Sequence, residues 1–418
     1  MSDLYKKANT DVKVAIKLFT EEQKWFRSYP TENITVSGNE NRIPLILTRP
    51  ILPAFLPDGG NESIMSTPNP THGTFTPVQM NKRHGYTGLA QAFSNRSRAS
   101  MIEDQTTYQA NMSGYSIGMG IGLTTYGTSV GTIAVVKTTG ASSATQVIPL
   151  KNAFGNSTFV AGGDSGGIQD TYLSFLFPTG NKIALIRASA IVEFGTITAS
   201  PSATSGQGYV DVTFTSAITP TAGDLIVSAN ADGDSTITGT DYNQWPLGFT
   251  DILLADSVEG QTTTSFAKWA AGSTQNATQR LSFVVKRKMI QECFNASGLT
   301  INRFILPQGV ERDAIAAELG ARRYDSSETD IEGSLKAGSG EQYFTSQLAL
   351  PNTLIGYNDR VVSKIELSDN PDQEMGKSLF KIDKVQGKSQ IAAAYDYFFQ
   401  RVCSSRAATG YAANLSSS

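Results

Sequence analysis

The sequence predicts an α+β fold with a helical start, a β-rich middle and a mixed region of helices and strands after it. Residues 3–27 space their apolar side chains as a helix does, and residues 128–255 contain β-favouring runs separated by turns. After residue 279 the chain alternates helical and strand-like segments. With 39% of its 418 residues hydrophobic, the chain can bury one large or two moderate cores.

Charge is scarce, because only 17% of the residues are Asp, Glu, Lys or Arg, against about 25% in an average protein. Much of the surface must therefore be uncharged and hydrogen-bonding, which suits extensive protein contact. A net charge of -3 leaves no excess of positive charge to neutralise phosphates. We expect weak, salt-sensitive binding of the free chain to duplex DNA.

Membrane-spanning proteins and secreted proteins are also disfavoured by the sequence. No apolar run approaches the roughly 18 residues that a spanning helix needs, and the polar N-terminus does not resemble a secretion signal. We therefore expect no membrane span, and folding in a cytosol.

Cys293 and Cys403 are the only cysteines, and we expect two buried thiols without a disulfide framework or zinc site.

The N-terminal helix is amphipathic and ends before Pro30. Its apolar face has no obvious partner in a distant core, so we expect it to pack on the same subunit's domains or on a neighbouring subunit, as part of an assembly interface. The side chains of this face are Val12, Ile16, Phe19 and Phe26.

Residues 45–85 are rich in proline and glycine and poor in apolar runs, which is typical of a long loop or extended arm. Such an arm is stable only on a borrowed surface, so we expect it to lie across a neighbouring subunit. Lys82 and Arg83 are candidate interface residues, with Arg83 near a neighbour's acidic groups. The expected contacts of its root with the chain's own core are Ile51, Leu52, Phe55 and Leu56.

Residues 101–123 indicate a further helix with a glycine stripe at Gly114, Gly118 and Gly122. Each interior glycine costs about 1 kcal/mol relative to alanine, so another backbone should approach closely. The elements predicted beyond it are strands at 132–136, 182–186, 210–214, 225–227, 304–306, 354–355 and 361–362, a helix through Leu281, Val284, Val285, Met289 and Cys293 that Gly298 stops, and a helix around Ile315 and Leu319.

Gly163-Asp164-Ser165-Gly166-Gly167 matches the surroundings of the nucleophile in chymotrypsin-like serine proteases. That chemistry needs a base, and the two histidines, His72 and His84, lie in the proline-rich stretch without an expected strand context to fix an imidazole. We interpret the motif as a tight β-turn, with a serine hydrolase using Ser165 as the remote alternative.

Residues 230–241 resemble a calcium-binding loop, since oxygen side chains stand at Asn230, Asp232, Asp234 and Asp241. Ser235 replaces the glycine that the sharp bend needs, and Asp241 replaces the longer glutamate. An Asx-rich turn between strands is the simpler interpretation, and calcium binding stays open.

Basic residues cluster at Arg280, Lys286-Arg287-Lys288 and Arg322-Arg323. Because acids are interleaved, a solvated helix face is favoured over a nucleic-acid footprint. The sequence has no Walker loop, dinucleotide fingerprint, Cys-x-x-Cys pair or metalloprotease helix. It therefore predicts no catalytic residue, no cofactor and no metal site.

Several short segments, taken in order, are similar to the tailed-bacteriophage major capsid proteins of the Hong Kong phage type. The resemblance covers nearly the whole chain and depends on the collinear order of matches that are individually weak. The segments are Tyr126-Gly127 to Gly131, which resembles the turn closing the family's spine helix, Ala222-Gly223-Asp224 with the strand entry after it, Pro246-Leu247-Gly248-Phe249, Phe266 to Gly272, and Arg303 to Val310.

The resemblance implies an N-terminal arm (1–48), an extended loop (49–86), and a peripheral domain (87–250) with the spine helix and β-rich region. It also implies an α/β axial domain (251–360) and a C-terminal segment (361–418) that returns to the sheets. No protease-removed scaffolding segment is expected. No covalent crosslink can be assigned either, because Lys82 is the only lysine of the loop and nothing identifies its partner.

The function implied is that of a non-catalytic major capsid subunit. Copies would assemble into pentamers and hexamers of an icosahedral head in the host cytoplasm, and the virion would enclose double-stranded DNA without sequence-specific binding. Scaffold, decoration and portal proteins stay open as partners. The alternatives are another phage structural subunit, or a nanocompartment shell protein of the same fold.

Overall fold

The structure is a computed structural model in which sheets dominate over helices. It describes residues 41–46, 71–87, 120–152, 177–200, 202, 205, 208–229, 245–266, 269–277, 279–307, 310–311, 313–314, 341–345, 349–350, 352–366, 381–384 and 390–415.

The strands are β1 (Asn41–Leu45), β2 (Thr71–Phe75), β3 (Val78–Thr87), β4 (Thr132–Val136), β5 (Ser143–Asn152), β6 (Lys182–Arg187), β7 (Ala190–Ala199), β8 (Tyr209–Ile218), β9 (Leu225–Ala229), β10 (Ser257–Val258), β11 (Gln261–Thr262), β12 (Ser273–Asn276), β13 (Arg303–Leu306), β14 (Gln342–Thr345), β15 (Leu354–Tyr357), β16 (Val362–Glu366), β17 (Lys381–Lys384), β18 (Gln390–Cys403) and β19 (Thr409–Ala413). The helices are α1 (helical over the described residues 120–126), α2 (Phe249–Leu254) and α3 (Phe283–Ser297), with a short 3-10 turn at Arg406–Ala408.

The β-rich region forms a closed antiparallel barrel in the order β4-β5-β8-β7-β6-β9. Its interior is filled by alternate side chains, as on β8, where Val210, Val212 and Phe214 are buried and Thr213 is exposed. Closure pairs every strand on both sides, so the barrel has no open edge.

A second sheet has the order β12-β19-β15-β13-β14 and is buried on both faces. Side chains alternate between the two faces: Phe304 and Leu354 pack beneath α3, whereas Ile305 and Ile355 pack with α1 and α2 on the opposite side. Because both faces of the sheet are buried, the predicted strand 304–306 is apolar at every position, although its side chains alternate between the two faces.

Helix α3 begins at Ser282, whose hydroxyl accepts a hydrogen bond from the Val285 amide. It ends at Gly298, which has the left-handed φ of 79° that glycine adopts without strain. The predicted helix and its glycine stop are confirmed. Its predicted apolar stripe was partly wrong, because Val284 is 71% exposed while Val285, Met289 and Cys293 face the sheet.

The proline-rich stretch contains regular strands in its described part, so of the two interpretations of residues 45–85 the long loop is wrong for those residues, whereas an extended arm is compatible with them. β2 pairs with β1, and β3 pairs antiparallel with β18 from Val78↔Phe399 to Thr87↔Gln390. His72 lies in β2 and His84 in β3. The expected lack of strand context for these histidines is therefore also wrong.

The other predicted strands are confirmed: 132–136 is β4, and the rest fall within β6, β8, β9, β13 and β15, except for 361–362, of which only Val362 lies in β16. Both cysteines are buried and free, as expected. Only residues 120–123 of the predicted helix 101–123 are described, and they are helical. The N-terminal helix and the helix around Ile315 and Leu319 lie outside the described residues.

Residues 127–131 connect α1 to the first barrel strand, and we call them the barrel root. The backbone of the barrel root approaches the start of α2 closely, and this contact yields a stability prediction. A Cβ placed on Gly248 would overlap the carbonyl oxygen of Gly127. We expect Gly248→Ala to lower the unfolding free energy by about 3 kcal/mol, since overlap with backbone cannot be relieved by a rotamer change. Urea denaturation of the unassembled chain measures this.

Gly298→Ala is the matched control, because its Cβ would meet open space and only the positive φ is strained. It should cost about 1 kcal/mol. Equal losses in the two variants would show that the Gly127–Gly248 approach is not tight.

Candidate assembly surface

One stretch near the C-terminus, residues 400–409, contacts most other parts of the described structure; we call it the junction segment. Gln400 accepts a hydrogen bond from the Leu247 amide at 2.7 Å and donates to the Thr76 carbonyl at 2.7 Å. The Ser404 carbonyl accepts from the Ile46 amide. Strands β1 to β3, the described part of α1, α2 and the five-stranded sheet are therefore positioned by the same residues.

Arg401 is buried at the C-terminal end of α1, where backbone carbonyls lack helical partners. Its guanidinium donates to the carbonyls of Thr124 (3.1 Å), Ile121 (3.2 Å) and Leu247 (3.1 Å), and also to the Thr125 hydroxyl. The negative end of the helix dipole compensates part of the cost of burying this charge.

Arg406 repeats the arrangement at the end of α2. It donates to the carbonyls of Ile252 (2.6 Å), Ala255 (2.7 Å) and Trp269 (2.9 Å), and it is 1% exposed. Burial lowers the pKa of this guanidinium, while nearby carboxylates and the Cys403 thiol act in the opposite direction. Two arginines five positions apart thus cap two helices that are far from them in sequence.

Asp251 ties the barrel root to α2, since its carboxylate accepts a hydrogen bond from the Ser129 amide. It is 9% exposed, and desolvation raises its pKa despite that hydrogen bond and the nearby Arg406. Trp245 reinforces the same joint, because its amide donates to the Ser129 carbonyl and its ring lies against Gly131.

The β1–β2 ribbon is held by the β10–β11 hairpin. At the turn of that hairpin, Glu259 accepts the Thr74 amide through its backbone carbonyl at 3.0 Å. Its carboxylate accepts the Cys403 amide at 2.7 Å. The β1–β2 ribbon is therefore anchored to the junction segment through Glu259.

The main exposed apolar surface among the described residues lies on α3, where Phe283, Val284 and Phe294 are 40%, 71% and 50% exposed. Sequence reasoning missed this surface, although three large apolar residues outside the buried stripe were a usable signal. The prediction of a solvated basic face was wrong for Lys286, which is buried and pairs with Glu341 at 2.8 Å.

The predicted interface residues are placed only in part. Lys82 and Arg83 lie on β3, opposite Tyr395 and Ala394 of β18. The structure does not bring them together with the other candidates, since those fall outside the described residues. These are Val12, Ile16, Phe19, Phe26, the arm-root residues Ile51, Leu52, Phe55 and Leu56, the motif serine Ser165, the loop residues Asn230, Asp232, Asp234 and Asp241, and Arg322-Arg323.

The part of the chain that the structure describes contains neither a metal-binding cluster nor a membrane-spanning helix. Within those ranges, no cluster of three or more His, Cys, Asp or Glu could hold a metal ion. Over the same part of the chain, no helix is both long and apolar enough to cross a membrane.

Residues of the segments that resemble the capsid family have structural roles. Gly272 approaches the Ala407 backbone so closely that a Cβ would overlap it, and Trp269 is fully buried. In the barrel, Gly223 has a φ of 94°, and the buried Asp224 binds Arg187 at 2.6 and 2.8 Å. The matched positions are thus turns and close contacts on which this fold depends.

Comparison with known proteins identifies the fold. No family model and no curated relative matches the chain. The cyanophage A-1(L) capsid asymmetric unit aligns over 90% of this chain and 88% of that chain, with 8% identity and a TM-score of 0.52. The chain therefore has the fold of that capsid chain.

Two further solved structures align less closely. The satellite phage P4 procapsid including size determination protein covers 96% of this chain and 90% of that chain, at 8% identity and a TM-score of 0.41. The SrpI encapsulin complex from Synechococcus elongatus covers 35% of this chain and 54% of that chain, at 10% identity and a TM-score of 0.29.

Replacing Arg406 tests the junction segment. Arg406→Met keeps the length of the side chain but leaves the C-terminal carbonyls of α2 buried without their donors. We expect the unfolding free energy to fall by about 3 kcal/mol, measured by guanidinium denaturation of the unassembled chain. Arg360→Met, at an exposed position, should change it by less than about 0.5 kcal/mol, and a similarly small loss for Arg406→Met would contradict the capping role.

Asp251 predicts a pH dependence of stability. Because its folded-state pKa is raised above the ordinary 3.8, the neutral form contributes stability below pH 3.8, and that contribution is lost as pH rises through the raised pKa. Asp251→Asn keeps an acceptor for Ser129 without the charge, so the stability of this variant relative to wild type should increase as the pH rises above about 4. Urea denaturation at several pH values measures this, with the exposed Asp256→Asn as control; parallel profiles for wild type and Asp251→Asn would refute it.

Proposed function

We propose that this chain is the major capsid subunit of a tailed bacteriophage, and that copies of it form the shell of an icosahedral head. The observation that carries the proposal is the fold shared with the cyanophage A-1(L) capsid chain over 90% of this chain. The collinear motif matches support it independently, since their residues occupy the close contacts of the fold.

The composition and the surface fit this role. With 17% charged residues and a net charge of -3, the subunit has many neutral hydrogen-bonding groups for contacts with other copies and little affinity for phosphates. Double-stranded DNA would be enclosed without being bound by sequence. Packaging would then have to be driven by another machine.

The finer architecture is also part of the proposal. The peripheral domain would comprise 87–250 and include the barrel, and the axial domain 251–360 would include α3 and much of the five-stranded sheet. Residues 1–48 and 49–86 would form the arm and the extended loop. The face Val12, Ile16, Phe19 and Phe26, together with Lys82 and Arg83, would contact other subunits in pentamers and hexamers.

Three alternatives differ from the proposed function in observable ways. A nanocompartment shell of the same fold would give small closed particles, and another phage structural part would give tubes or isolated subunits. A serine hydrolase would lose turnover when Ser165 is replaced by alanine, whereas a shell subunit would assemble unchanged.

Electron microscopy of purified full-length chain tests the proposal. We expect closed icosahedral particles in negative stain from wild type and from Ser165→Ala. Deletion of residues 1–28 should leave soluble protein that sediments mainly as unassembled subunits, because the N-terminal apolar face would no longer join neighbours.

The results have distinct meanings. Small compartments, tubes or monomers from wild type under all assembly conditions would contradict the proposed function. Normal particles from the truncated chain would refute only the role of the N-terminal helix. Sub-micromolar binding of unassembled wild type to duplex DNA at physiological salt would count against a shell that encloses DNA without binding it tightly.

A further inference from the structure

The chain enters and leaves the barrel at neighbouring points. The first barrel strand, β4, pairs antiparallel with the last, β9, and Thr132 lies opposite Val227. Beyond the barrel, the Trp245 amide donates to the Ser129 carbonyl at 3.1 Å. Ser129 and Trp245 are therefore hydrogen-bonded neighbours, although the whole barrel lies between them in sequence. We call residues 130–244 the barrel unit, and the other described residues the body.

The barrel has a hydrophobic core of its own. The buried apolar side chains that fill it all lie between Ile133 and Ile226 in sequence. A second, smaller cluster also takes all its members from residues 130–229. In the part of the body that the structure describes, Leu123 and Trp245 are the apolar side chains that pack against the barrel core. The hydrophobic burial that stabilises the barrel therefore comes almost entirely from the barrel itself.

Two buried polar side chains of the barrel also have their partners within it. Gln146 is 6% exposed and donates to the carbonyls of Ser143 and Ile218 at 2.8 and 3.0 Å. Asp224 is 3% exposed and accepts two hydrogen bonds from the Arg187 guanidinium. Burying these groups would be costly without such partners. The body is not needed to supply them.

We infer that the barrel unit folds and unfolds separately from the body, and that the body is continuous across it. From β4 to β9 the barrel extends from residue 132 to residue 229, far more than the roughly 40 residues below which a domain usually needs disulfides or metals. A compact unit with its own core and with adjacent ends has the properties of an inserted domain. The subunit would then contain two cooperative units, a property that the proposed function does not require.

Hydrogen exchange of the unassembled full-length chain, followed by mass spectrometry at increasing urea, tests the inference. Val212 of β8 lies in the barrel core and Val362 of β16 in a body core, and each is 0% exposed. Val212→Ala should speed the exchange of barrel amides about tenfold or more. It should leave the exchange of body amides unchanged within about twofold. Val362→Ala is the matched variant, because it removes the same two carbon atoms, and it should have the reverse effect.

Excision of the barrel unit tests whether the body is continuous. In this variant a Gly-Ser-Gly-Ser linker joins Ser129 directly to Trp245, so the sequence that brings Gly127 against Gly248 is kept. We expect the amides of β13, β15 and β19 to retain slow exchange and to unfold cooperatively in urea. The control inserts the same linker between Ser129 and Val130 of the full-length chain, and its body should exchange as wild type does.

Three results would overturn the inference. If both substitutions speed exchange equally in the barrel and in the body, the chain unfolds as one cooperative unit. If Val362→Ala speeds exchange in the barrel as strongly as in the body, the barrel depends on the body for its stability. If excision abolishes slow exchange in the body while the linker control keeps it, the body is not continuous across the barrel. None of these measurements uses particles, so the proposed function is tested separately.

Discussion

The described structure depends on two buried guanidinium groups that do the work of helix caps. Arg401 and Arg406 donate to carbonyls at the ends of α1 and α2, and neither is more than 1% exposed. A carbonyl buried at a helix end without a donor is costly. Because the two arginines are five residues apart, one short segment satisfies both helix ends and fixes their relative position, which in turn sets where the barrel and the five-stranded sheet meet.

The barrel is a closed unit attached at a narrow root. Its own core shares few residues with the rest of the molecule, and the joint depends on Gly127 against Gly248, Asp251 on Ser129, and Trp245 against Gly131. The backbone contact of Gly127 with Gly248, with no side chain between them, leaves this joint little freedom to shift.

Charge is used sparingly, and several charged side chains are buried. Arg401, Arg406 and Lys286 are buried and satisfied by carbonyls or by a carboxylate, and Asp251 is buried at the barrel root. Because each of these internal charges needs its partner in place, they favour one arrangement of the elements. On the described surface, α3 exposes the apolar side chains Phe283, Val284 and Phe294.

The amino-acid sequence was sufficient to predict those helices and strands that depend on neighbouring residues alone. The strand 132–136, the apolar strand 304–306 and the end of α3 at Gly298 follow from β-propensity, burial on both faces and the left-handed conformation of glycine. The motifs also pointed to the fold, since their glycines and tryptophan occupy close contacts. Only the tertiary structure decided that Arg401 and Arg406 are caps, that Lys286 is buried, and that β3 pairs with β18. Each of these depends on a partner between 55 and more than 300 residues away, and no spacing rule along the chain reports such a partner.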